Sequence, residues 1–178
     1  MEINYNDPQG IEKLSNEIIK TLDFPFLTLC IGTDKCIGDC VGPLVGHKLT
    51  KKNFPYPVYG TLEHPIHAIN LVEKLEYLEA KYPDLPFLAI DASLGKYKSI
   101  GKIQLRKGPI SPGKGVGKVL PVVGDFSLVA IVDTYNYIEE LSIHQVRLHL
   151  IYKMANIIAE SLLLAIQSTK DGVALSKL

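Results

Sequence analysis

The sequence predicts an α/β domain in which a parallel sheet carries helices on both faces. Three observations support this. Short apolar runs at residues 26–31, 57–60 and 86–90 are separated by two segments of helical periodicity, and strand, helix, strand, helix, strand is the pattern of a parallel sheet covered on both sides. Two aspartates, Asp39 and Asp91, follow the first and third runs, where open α/β sheets gather their ligands. The 178 residues fit one domain, 1–178, large enough to bury its own core.

The elements follow in order. Ile11, Leu14, Ile18, Ile19 and Leu22 recur at helical spacing over residues 8–22. Pro25 ends that helix, and residues 26–31 form the first strand. After a glycine-rich turn, Val41, Leu44, Val45 and Leu49 mark a helix that starts near Asp39 or Gly42. Lys48, Lys51 and Lys52 suit its negative end. A short strand at 57–60 leads through the loop 61–65 into a helix carrying Ile66, Ile69, Leu71, Val72, Leu75 and Leu78 up to Lys81. Pro83 and Pro86 close it, and strand 86–90 delivers Asp91 at its end. Residues 99–106 alternate as a half-exposed strand would, 108–118 form a glycine- and proline-rich loop, and 119–123 and 127–132 read as further strands. The last helix, from about Ile143 to Ser168, is apolar enough to cover the sheet.

Bulk properties exclude several classes. Lys and Arg number 19, Asp and Glu 19, and the isoelectric point is about 7.0. That leaves no global footprint for nucleic acid or an anionic membrane. The N-terminus lacks the charged start and apolar core of a signal peptide. The longest apolar segment, near 157–166, is broken by Glu160 and Ser161, so no run is predicted to span a bilayer. The expectation is a soluble, cytoplasmic protein without nucleic acid or membrane as partner; a homo-oligomer stays open. Cys30, Cys36 and Cys40 fall within eleven positions, which is neither a disulfide framework nor the paired C-x-x-C of common zinc sites. Cys30 reads as core.

The chemistry centres on Asp39 and Asp91. Close like charges push pKa values apart, so one carboxylate can take a proton from water while the other protonates a carbonyl oxygen or leaving amine. Asp39 also reads as a helix N-cap, and Asp91 as a turn-former bonding the next amides. Glu63, His64 and His67 fall on the same sheet edge if the first three strands are parallel. His67 and His144 could bind substrate or metal; equally, His64 can be exposed, His67 a helix N-terminal residue and His144 a cap. Gly108 to Gly115 nearly fits a phosphate-binding loop, but Gly115 stands where Ser or Thr is required and two prolines remove backbone donors. No G-x-S-x-G elbow is present, and Ser93 reads as closing a turn.

The segments from Gly32 to Gly46, from Tyr59 to Ala68 and from Ile90 to Gly95 resemble the YyaC family of sporulation proteins from endospore-forming Firmicutes, over nearly the whole chain. More distantly, Gly38 to Pro43, Ile90 to Ala92 and Gly108 to Gly117 look like three successive motifs of the spore germination protease, which degrades small acid-soluble spore proteins. There, the aspartates matching Asp39 and Asp91 are the proposed catalytic pair. Hydrogenase maturation endopeptidases are also similar, and in them the matching carboxylates and a histidine ligate nickel. All three groups imply a three-layer αβα sandwich with a mostly parallel mixed sheet. The chain is shorter than the germination protease and has no evident propeptide. Thr33 replaces the Asn of the maturation enzymes, and His144 or His67 would fill the third ligand position.

The resemblance therefore implies a peptidase-like hydrolase of sporulating cells, acting in the cytoplasm of the sporulating cell or forespore on a protein or peptide substrate. Asp39 and Asp91 would activate water, Thr33, Asp34, Glu63 and His67 would border the cleft, and the loop 108–117 would shape or cover it. Two alternatives stand beside it. One is a nickel or zinc centre on Asp39, Asp91 and His144; the other is a binding or regulatory protein on the same scaffold without catalysis.

Overall fold

A computed structural model describes residues 1–113, 120–134 and 146–175. The chain opens on a strand that periodicity does not announce, β1 (Glu2–Asn4), because three residues with one buried side chain, Ile3, are too few to show a repeat. Helix α1 (Gly10–Thr21) buries Leu14 and Ile18, and strand β2 (Leu27–Cys30) is buried along its whole length. Helix α2 (Val41–Lys51) places Lys48 and Lys51 in its last turn, where they complement the helix dipole. Strand β3 (Val58–Tyr59) and helix α3 (Leu71–Lys81) follow, then β4 (Phe87–Gly95), β5 (Lys102–Lys107) and β6 (Phe126–Thr134). Helix α4 (Leu148–Leu175) ends the described chain.

The six strands form one sheet in the order β1-β5-β6-β4-β2-β3. β3, β2, β4 and β6 run parallel, whereas β5 pairs antiparallel with both β6 and β1. One core packs Leu14, Val45, Met154 and Leu162 of α1, α2 and α4 onto Cys30, Ile90 and Leu128; a smaller one packs Leu71, Leu75 and Leu78 of α3 onto Leu29 and Ala89. This is the three-layer sandwich with a mostly parallel mixed sheet. Each fully buried Leu contributes about 2 kcal/mol relative to exposure.

Several boundaries differ from expectation. Helix α3 starts at Leu71 rather than Ile66, because Ile66 bridges to Ile31 and its carbonyl accepts Gly32 N–H at 2.8 Å. Ile69 is left 83% exposed in the turn between. The run predicted as strand 119–123 forms, over its described part, a single bridge between Val123 and Ile110. Residues 97–99 are a 3-10 turn ahead of β5. The predicted start of the last helix at Ile143 lies outside the described residues. Its span Leu148–Thr169 is long and apolar enough to cross a membrane by length and composition, which corrects the expectation from Glu160 and Ser161. That span is mostly buried, since Ile151, Met154, Ile158 and Leu162 fill the main core. Burial of this face against α1, α2 and the sheet fits a soluble protein.

The start of β4 is clamped by Asp125. Its N–H donates to Phe87 O at 2.8 Å, and its Oδ2 accepts Phe87 N–H at 2.8 Å. Asp125→Ala is expected to cost about 1 kcal/mol, the net worth of one such bond at a solvent-facing site. Urea unfolding measures it, and an unchanged midpoint would show the clamp to be idle.

Candidate functional site

Strand β2 leads through α2 on one face to β3, and β3 leads through α3 on the other face to β4. The order therefore switches between β2 and β4, and the crevice beyond their carboxyl ends is where such sheets bind ligands. Asp39 and Asp91 both reach this crevice. Gly32 turns the chain off β2 at φ 134°, in a region that favours glycine, and the chain re-enters at a 3-10 turn, Ile37–Asp39. The Asp39 carbonyl accepts Thr33 N–H at 3.1 Å, tying the two ends of this loop together. Asp91 is not at the end of its strand, as expected, but within it. It is the first β4 residue beyond the last β2 pair, Cys30 with Ile90, and it pairs with Val129 of β6.

His67 arrives from the other side. Because Ile66 pairs alongside Ile31, continuing the β3 side of the sheet past the end of β2, the next residue lies beside the loop that holds Asp39. Its N–H donates to Asn70 Oδ1 at 2.8 Å, and Asn70 Nδ2 donates to Pro65 O at 3.1 Å. Ile69 N–H donates to His67 Nδ1 at 3.4 Å.

The other predicted positions divide. Thr33 is half-buried on the loop, its Oγ1 accepting Lys35 N–H at 3.3 Å, and Asp34 beside it is exposed. Glu63 stands 83% exposed with His64 4.0 Å away, out in solvent rather than against the pair. His144 lies outside the described residues. The loop expected to shape or cover the cleft begins at the other end of the sheet: Gly108 N–H donates to Asp125 O and Ile110 pairs with Val123, beside the start of β4. Antiparallel β5 carries the chain there. An open pocket of about 650 Å³ at that end is lined by Leu75, Tyr82, Phe87, Gly108 and Asp125, remote from the aspartates.

A family described as "Protein of unknown function (DUF1256)" matches residues 2–161. A relative from Bacillus subtilis (strain 168), described as the uncharacterized protein YyaC, is 41% identical over 150 residues, covering 84% of this chain and 73% of the relative. This chain belongs to the YyaC (DUF1256) family. The matched span contains Asp39, His67 and Asp91.

The two carboxyls of this YyaC-family protein sit in unequal surroundings. Asp91 is pushed well above the usual carboxylate range, first by its enclosure and then by the negative charge of Asp39; the Ala92 N–H donating to its Oδ1 at 2.8 Å opposes this. Asp39 is pushed up to about 6 by burial, against the pull of the Thr33 amide and the His67 imidazole. Burial raises both carboxyls, and Asp91 is the more enclosed of the two; unequal carboxyls of this kind suit general acid–base chemistry.

Cys40 follows Asp39 directly and is pushed up to about 11 by burial and by the charges of Asp34, Asp39 and Cys36. It stays a thiol at neutral pH and is a poor nucleophile. Cys30 is fully buried in the main core, as expected. Among the described residues no three His, Cys, Asp or Glu side chains gather as metal ligands; the set Asp39, Asp91 and His144 includes a position outside them. The sequence reading passed over Asn70 and the Ala92 amide. An Asn just before an apolar helix could have been noticed as an N-cap, but its side chain turns back to His67 instead.

Proposed function

We propose that this YyaC-family protein is a hydrolase that cleaves peptide bonds with water activated by Asp39 and Asp91. The observation that carries this reading is the pairing of an ionisable carboxyl with a more enclosed one at the switch point of the sheet. Asp39, as carboxylate, takes a proton from water while the water oxygen bonds to the peptide carbonyl carbon. Asp91, as acid, gives its proton to the carbonyl oxygen. When the tetrahedral carbon collapses, that oxygen returns its proton to Asp91, the C–N bond breaks, and the proton held by Asp39 passes to the departing nitrogen. Amide plus water become acid plus amine, and both carboxyls regain their starting state. Thr33, Asp34 and His67 border the entrance. The resemblance to sporulation proteins and to the germination protease supports a protein substrate in the cytoplasm of a sporulating cell, with small acid-soluble spore proteins as the first to offer.

The test is to incubate the purified protein with those spore proteins and with casein, and to follow products by mass spectrometry across pH. Cleavage is expected to rise with pH through about 6 as Asp39 ionises, and to fall again where Asp91 releases its proton. No cleavage of either substrate would leave the scaffold as a binding or regulatory protein. Cleavage indifferent to pH between 5 and 8 would remove the two aspartates from the mechanism.

A further inference from the structure

Strand β4 outruns its neighbour. Its pairing with β2 stops at Cys30 with Ile90, closed by Ile31 N–H donating to Ile90 O at 2.8 Å, whereas its pairing with β6 continues from Asp91 to Gly95, opposite Thr134. Over residues 92–95 the edge of β4 on the β2 side has no backbone partner among the described residues. Backbone groups of successive strand residues point to alternate sides. Ile90 O points toward β2, so the groups of Ala92 point that way too. The Ala92 N–H turns to Asp91 Oδ1 at 2.8 Å, which leaves the Ala92 carbonyl as the first open acceptor, one residue from the aspartate pair.

An open edge is ordinarily blunted by a charge, a proline or a covering segment. Residues 92–95 read Ala-Ser-Leu-Gly, with neither charge nor proline, and all four are half-buried rather than splayed into solvent. Past Ser93 the ladder shifts register, and the bent ribbon keeps its pairing with β6. The free groups are thus held in place by β6 on one side and offered on the other. Leu94 O accepts the Ser93 hydroxyl at 3.2 Å, which leaves Ala92 O as acceptor and Leu94 N–H as donor open among the described residues; two such groups on alternate residues are satisfied by another polypeptide backbone.

We propose that the β2-facing edge of β4 at residues 92–95 receives the substrate as an extended polypeptide, added to the sheet as a further strand, which lays the peptide bond against Asp39 and Asp91. The continuity of this edge with Asp91 favours a substrate segment over a second copy of the chain. The position of the cleaved bond rests on the peptidase reading; the docking does not. A segment bound this way must be unstructured beforehand, so the substrate class is disordered or locally unfolded polypeptide rather than a folded surface.

The test uses the full chain carrying Asp39→Asn, with Asp91→Asn as a second form, and a random library of octapeptides as probe. The tightest binder is remade with single backbone N-methyl groups at each position in turn. Methylation at every second residue is expected to weaken binding at least tenfold and to leave it within about twofold at the residues between, the period of a strand ladder. Uniform tolerance, uniform loss, no binding octapeptide, or dimerisation of the protein through residues 92–95 would each overturn the proposal. The alternating pattern without cleavage by wild type keeps the docking edge and removes the peptidase; cleavage without the pattern does the reverse.

Discussion

Asp91→Asn is expected to lower peptide cleavage by about a thousandfold, within the range that a positioned acid or base contributes, while making the protein more stable at neutral pH. The two effects share one cause. The folded protein encloses the Asp91 carboxyl and sets it near Asp39, so its pKa lies well above the ordinary 3.8. The unfolded chain gives up that proton sooner. Stability is therefore fullest below about pH 3.8 and is lost as pH rises toward the folded pKa. Asn fills the same space without a charge, and that loss disappears. Asp39 behaves the same way over a narrower window, from 3.8 to about 6, worth no more than about 3 kcal/mol at 1.4 kcal/mol per pKa unit. Urea unfolding of wild type, Asp39→Asn and Asp91→Asn at pH 4 and pH 8 measures it. Wild type should lose more stability between the two than either variant. A less stable Asp91→Asn at pH 8 would mean that the carboxylate is a structural partner, and full cleavage by that variant would end its role as acid.

The parallel half of the fold was legible because its strands are buried on both faces and its helices are amphipathic. Residues 26–31 and 86–90 could hardly be anything else once Pro25 and Pro86 bounded them. What was not legible depends on pairing between distant residues. β4 extends to Gly95 only because β6 accompanies it there, and nothing in Ala92 to Gly95 taken alone announces a strand. Ile66 has the spacing of a helical residue, yet it pairs with Ile31. β1 exists through its ladder with β5 and through Glu2, which holds Lys102 at 2.6 Å across that pair. At the site, Asp39 and Asp91 were visible as residues at the ends of apolar runs. Their inequality was not, because it comes from how deeply each is enclosed. Glu63 shared the right loop with His67, but only His67 is drawn in, by Asn70 and the Ile31 bridge.

Gly42→Ala sets helix propensity against packing, and packing is expected to win by up to about 2 kcal/mol. Alanine in the interior of a helix is intrinsically better than glycine by about 1 kcal/mol, and nothing in the backbone of α2 forbids it. A Cβ at Gly42, however, would stand 2.1 Å from Ile31 O and 2.8 Å from Ile31 N. Those are backbone atoms and cannot rotate away, so either α2 lifts or the end of β2 bends. Overpacking of this kind costs 1–3 kcal/mol and on occasion more, enough to outweigh the propensity. The displaced atoms also seat the candidate site: Ile31 holds the Ile66 segment that delivers His67, and the first turn of α2 follows directly from Asp39 and Cys40. Gly42→Ala should therefore lower cleavage by more than its loss of folded protein accounts for. Lys51→Ala, exposed on the same helix and away from β2, is the control and should change both quantities little. Urea midpoints and cleavage rates of the two variants decide it. If Gly42→Ala raised the midpoint, as propensity alone would have it, α2 would not be seated on β2, and the geometry that brings Asp39 to Asp91 would lose its support.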